Sequence, residues 1–189
     1  MSQTTTCVLS YPTERLVLFI DGFYLYSAAK SLRLDIDYRA LLTTFARIGQ
    51  LIHAQSYHAV LDTQDDEENP LRPLLDWLAF NGFIVKTKLR RDFTDNTGAF
   101  RTKANVSVEI ACDMLQAAAY ADHLVLFSGE NDLIYAVEAV QKLGKRVTVV
   151  ASTTAQNALV ALDLRKQADC FMELEDLRSK IGKTANGKV

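Results

Sequence analysis

Leu16–Ile20, LVLFI, ending at Asp21-Gly22, is the stretch that decides the fold. The run is continuously apolar where a half-exposed strand would alternate. A strand of that kind is buried on both faces, which places it in a parallel sheet covered by helices on either side. Asp21-Gly22 then marks the strand's carboxyl end, where the chain turns into a helical pattern over Phe23–Leu32.

Working outward, the same alternation recurs. A second helical pattern covers Tyr38–Ile48 and ends at Gly49. The segment Leu51–Leu61 contains a strand in its later half. The acidic turn DTQDDEENP leads to a helix over Leu71–Asn81, with Gly82 as its C′ residue. Phe83–Leu89 alternates as a strand does, placing Lys86 and Lys88 on one face. Arg90–Thr102, RRDFTDNTGAFRT, has turn residues and no period, and reads as a loop. A long helix from about Asn105 to Ala121 follows, then strand His123–Ser128, helix Asp132–Leu143 and strand Arg146–Ala151. A helix near Leu159–Gln167, a strand Cys170–Leu174 and a helical turn close the pattern. Strands alternating with helices predict a three-layer α/β/α domain with a mostly parallel central sheet. We expect one domain over residues 15–181, between flexible segments at 1–14 and 182–189.

The composition is that of an ordinary globular chain. The 189 residues are 49% hydrophobic and 23% charged, with net charge −2, so no global attraction to nucleic acid or anionic membrane exists. Any contact with nucleic acid must come from a local patch. No apolar run reaches the ~18 residues of a membrane span, and MSQTTTCVLSYPTER lacks the charged-then-apolar order of a secretory signal. Three cysteines without metal-ligand spacing suit a reducing cytoplasm.

Acids cluster beside the expected strands: Asp21 after LVLFI, Glu109 and Asp113 in NVSVEIACDML, and Glu130 and Asp132 in LFSGENDL. The carboxyl ends of strands in an open α/β sheet face a common crevice, so acids distant in the chain can meet there. Meeting carboxylates repel, and a hard divalent cation offsets the repulsion. Glu109 and Asp113, four apart, share a helix face, where like charges cost roughly 0.2–0.5 kcal/mol. The structural alternatives stay open: Asp21 and Asp132 as turn or cap residues, Glu109 and Asp113 as partners of Lys103 or Arg101. Ser128-Gly129 forms a loop whose backbone N–H groups can point into the crevice. Lys86, Lys88, Arg90, Arg91, Arg101 and Lys103 make the intervening loop basic, as a contact for phosphate would be. The histidines share no ligand spacing and read as structural. Ser107 has no base beside it, and phosphate-loop and dinucleotide fingerprints are absent.

Together FIDGFYLY, KANVSVEIACDML, LVLFSGENDL, KRVTVVA and ADCFMELEDL resemble the NYN family, in its LabA-like (DUF88) branch related to PIN-domain nucleases, over about Arg15 to Ile181. The resemblance implies a PIN-like fold and a carboxylate cluster holding Mg²⁺ or Mn²⁺ to cleave RNA. Matched by position, Asp21, Asp113 and Asp132 would hold the metal, and Glu130 or Glu109 would hold or activate water. Lys88, Arg90, Arg101, Lys103 and Ser128 would contact substrate. Three positions depart from the family: Tyr24 replaces the usual Asn, Ser107 the usual Asp, and Glu130 the usual Asp. The expected function is a metal-dependent ribonuclease. The alternative is a weakly active or inactive PIN-like module that binds RNA or a protein partner, with self-association left open.

Overall fold

The structure, a computed structural model, describes residues 12–61, 69–94, 100–103 and 105–183. Its elements in chain order are β1 (Arg15–Asp21), α1 (Gly22–Ser31), α2 (Tyr38–Ala46), β2 (Gln50–Leu61), α3 (Arg72–Phe80), β3 (Phe83–Thr94) and β4 (Phe100–Lys103). They continue with α4 (Ser107–Ala117), β5 (His123–Phe127), α5 (Ile134–Lys142), β6 (Arg146–Ala151), α6 (Leu162–Gln167), β7 (Cys170–Glu173) and α7 (Arg178–Ile181). The sheet order is β4-β3-β2-β1-β5-β6-β7. All neighbours pair in parallel except β3 with β4, which are antiparallel. The three-layer α/β/α expectation therefore holds, with one antiparallel strand added at an edge.

β1 is central because its apolar run is buried on both faces. Leu16, Val17, Leu18, Phe19 and Ile20 are all fully buried, as are Leu124, Leu126 and Phe127 of the adjoining β5. The covering helices present matching apolar faces: Leu41 and Phe45 of α2, Ile110 and Met114 of α4, and Val137 and Val140 of α5 are buried. From β1 the chain winds outward through β2 and β3. It then returns to the other side of β1 for β5, β6 and β7. The strand order thus reverses between β1 and β5, and a crevice opens outside the carboxyl ends of these two strands. Asp21 ends β1, and Ser128-Gly129-Glu130 follows β5.

Three expectations are corrected. β2 takes up the whole of Gln50–Leu61, not its later half, because its first part, to Tyr57, pairs with β1 while Ala54 onward pairs with β3. The stretch read as a loop is partly a hairpin: β3 continues to Thr94, and β4 pairs back with Phe93 opposite Arg101 and Arg91 opposite Lys103. Turn residues concealed it, since the signal of an edge hairpin is the backbone ladder rather than a buried face. The helix expected near Leu159–Gln167 is the shorter α6, because Val160 N–H instead bonds the Ser152 carbonyl beyond β6. The acidic turn after β2 lies almost wholly outside the described residues. Gly82 has φ +91° at the end of α3, as a C′ glycine requires. Beyond α7, Lys183 bonds the Asp35 carbonyl through its backbone and the Asp35 carboxylate through its ammonium at 3.0 Å. Among the described residues no helix is long and apolar enough to cross a membrane.

Candidate functional site

The crevice is built on Asp21. Its Oδ1 accepts hydrogen bonds from the N–H groups of Phe23 (3.1 Å) and Tyr24 (3.0 Å), so it caps α1 at the point where β1 ends. The cap alternative is therefore correct, and it coexists with a position in the crevice. Asp21 is only 6% exposed. Burial pushes its carboxyl up to about 6, and the nearby Glu130 charge adds to this. The two backbone donors and Ser128 oppose the rise.

Asp21 and Glu130 line one cavity of about 600 Å³. Its walls come from α1 (Phe23, Tyr26), the end of β2 (His58, Ala59), Arg90 of β3, and Asn105 with Val106 at the start of α4. Asp132 is exposed beside it and accepts from the Asn105 side-chain amide at 3.1 Å. Asn105 Oδ1 accepts from Ser107 N–H at 2.6 Å, so one amide side chain ties the start of α4 to the loop after β5. His58 is buried, bonded to Ser56 Oγ at 2.7 Å, and held neutral by burial, which lowers its pKa to about 4.

The helix acids are placed differently. Asp113 Oδ2 accepts from the Tyr57 hydroxyl at 2.6 Å and from Lys86 Nζ at 2.5 Å. Glu109 pairs with Lys88 Nζ at 2.8 Å, and Lys88 also donates to the Asn105 carbonyl. Four residues of helix rise about 6 Å and two residues of strand about 6.6 Å, so an i,i+4 pair on α4 matches an i,i+2 pair on β3. Asp21, Tyr57 and Lys86 are in register across β1, β2 and β3. Asp113 thus lies over β2 and β3, held by lysine and tyrosine. Among the described residues no three His, Cys, Asp or Glu side chains gather as a metal-ligand group. Convergence of Asp21, Asp113 and Asp132 on one point, expected from sequence, is not what the side chains do. The lysines supply the positive charge that a cation was expected to supply. Arg101 and Lys103 belong to β4, and their side chains lie outside the described residues.

Two of the departures from the family have structural outcomes. Tyr24 is buried and its hydroxyl accepts from Ser152 N–H at 3.0 Å, beyond β6. Burial pushes that hydroxyl up to about 12. A Cβ on Gly129 would stand 2.5 Å from the Tyr24 ring, so Gly129 makes room for Tyr24. A Cβ on Gly22 would likewise meet the His58 ring at 2.3 Å. Ser107 is buried, and its hydroxyl has no hydrogen-bond partner among the described residues. Sequence reasoning missed Asn105 and His58 as crevice residues. The Asn-x-Ser spacing before α4 was the available sign of an Asx turn; His58 carried none.

Comparison with known proteins matches residues 15–175 to the NYN domain. The chain is 32% identical over 180 residues to the low amplitude and bright protein LabA of Synechococcus elongatus, covering 93% of this chain and 92% of that protein. A crystal structure of a protein of unknown function from Vibrio parahaemolyticus superposes with a TM-score of 0.68 at 23% identity, covering 87% of this chain and 94% of the other. That likeness concerns the fold.

Two outcomes follow from this geometry. Gly129→Ala should destabilise the protein by about 1–3 kcal/mol through overpacking against Tyr24. Pairing it with Tyr24→Asn should recover part of the loss in urea unfolding. The Asp21 carboxyl titrates at about 6 in the fold against 3.8 for a free side chain, so the folded state binds the extra proton. Its contribution is therefore full below pH ~4 and is lost as pH rises through 6, by up to about 3 kcal/mol. Asp21→Asn keeps an oxygen for the cap and carries no charge. With chelator present, it should be more stable than wild type at pH 8 and indistinguishable near pH 4. A mutant less stable at pH 8 would contradict the account.

Proposed function

The chain belongs to the NYN domain family, and from that membership and the crevice geometry we propose that it hydrolyses RNA phosphodiester bonds slowly, using a Mg²⁺ or Mn²⁺ ion. The observation that carries this reading is a nearly buried carboxylate, Asp21, at the strand-order reversal, sharing a cavity with a second acid, Glu130. The residues present suit such an ion: Mg²⁺ is commonly held by one or two carboxylates and several waters. Asp21 would hold it directly, and Asp132 would bond its waters. When bound, the ion supplies positive charge that polarises a phosphoryl oxygen and acidifies water.

The chain's own residues do the rest. Glu130, exposed at the cavity mouth, accepts the proton of the attacking water. Arg90 faces the same cavity and can bind a phosphate oxygen. The amino end of α4, at Asn105-Val106, borders the cavity and favours negative charge there. Phe23, Leu71 and Val106 form an apolar wall that limits bulk water. Lys88 is occupied by Glu109 and Asn105, so it contacts a phosphate only by exchanging partners.

A second reading is a non-catalytic module that binds RNA or a protein partner. The lysine pairs of Asp113 and Glu109, with Tyr24 turned into the core, favour it. Cleavage of labelled single-stranded RNA with Mn²⁺ separates the two. Under the first reading wild type cleaves, and Asp21→Asn or Glu130→Gln lowers the rate by about a hundredfold or more. Ser107→Asp places an added carboxylate beside the crevice and should raise turnover or metal affinity. If wild type and Ser107→Asp are both inactive while RNA is still retained, the binding reading stands.

A further inference from the structure

A second cavity, of about 870 Å³, lies across the outer face of α1, α2 and α3. It shares Tyr26, Tyr38 and Leu74 with the crevice cavity, so the two adjoin along these side chains. Its lining pairs cations with aromatic rings. Lys30 Nζ lies 5.7 Å from the Tyr26 ring centre, and the Arg39 guanidinium lies 5.4 Å from that of Trp77. Tyr26 is 61% exposed on α1. Arg33, exposed at the end of α1, adds a third cation.

The charges are unbalanced here. Asp37 is spent capping α2, accepting from the N–H groups of Arg39 and Ala40, and Asp35 is paired with Lys183. Lys30, Arg33 and Arg39 form no ion pair with any described residue. In a chain of net charge −2, three cations without an ion-pair partner beside the exposed Tyr26 ring and the half-buried Trp77 ring select an anion that carries flat rings. Single-stranded nucleic acid has that chemistry, whereas a duplex keeps its base faces stacked inside.

We propose that this groove carries the single-stranded RNA leading away from the crevice, with bases stacking on Tyr26 and Trp77 and phosphates on Lys30, Arg33 and Arg39. The proposal rests on the reading of the crevice as an RNA site, and it extends that site to several nucleotides.

Trp77 is the single tryptophan, so its emission reports directly on the groove. Wild-type protein in EDTA, where cleavage plays no part, is titrated with a single-stranded RNA dodecamer and separately with a dinucleotide. The dodecamer should quench Trp77 emission. The double variant Lys30→Glu, Arg33→Glu should weaken dodecamer binding at least tenfold and leave dinucleotide binding unchanged. Loss of two phosphate contacts should also flatten the log–log salt slope by about 1.4, at roughly 0.7 per phosphate on a single strand. Tyr26→Ala, at an exposed position, should weaken binding without altering that slope. Unchanged dodecamer affinity and salt slope in the double variant would overturn the proposal, as would quenching of Trp77 by polyglutamate but not by RNA. If the dodecamer binds and quenches while Mn²⁺ yields no cleavage, the nuclease reading fails and the groove stands. If Asp21→Asn abolishes cleavage while the double variant binds normally, the groove fails and the nuclease reading stands.

Discussion

The structure turns on placing one carboxylate at the end of a strand that has no water on either side. β1 is fully buried from Leu16 to Ile20, so the chain must leave the sheet at Asp21 with its backbone groups satisfied. Asp21 achieves this by accepting the first free amides of α1, which sets where that helix begins. The cost is a charged group held away from solvent, next to Glu130. The hydroxyl of Ser128 and the two amides of α1 offset part of that cost.

The other acids illustrate how repulsion can be offset without a metal. Asp113 and Glu109 share a helix face, and each meets a lysine of β3 two residues from the other. Tyr57 strengthens the inner pair, since burial and the Asp113 charge both raise the affinity of its hydroxyl for its proton. The outer pair is more exposed and is worth little to stability on its own. Its significance is positional, because the two pairs together set α4 against β3.

Much of this was legible in the sequence. Continuous apolar runs identified β1, β5 and β6, and their alternation with helical patterns identified the layers. Asp21 and Glu130 were legible because strand ends in such a sheet share a crevice. The partner of Asp113 was not legible: Lys86 and Lys88 were placed correctly on one strand face, but that α4 would lie over that face depends on packing. The edge hairpin was hidden by its turn residues. The contact between Gly129 and Tyr24 was not legible, since nothing local says that a tyrosine in the first turn of α1 turns toward the loop after β5. The groove beside Tyr26 and Trp77 was not legible either, since it is a product of how three helices assemble.

The lysine that neutralises Asp113 has a thermodynamic consequence. Lys86 is 40% exposed along its side chain, within reach of an incoming polyanion, while Asp113 is 13% exposed. An anion that drew Lys86 away would leave Asp113 without its counter-charge, and the affinity of that face for a divalent cation would rise. Linkage is reciprocal, so a cation near Asp113 would release Lys86 and tighten the hold on the anion by the same factor. At this face an anion and a cation would each raise the affinity for the other.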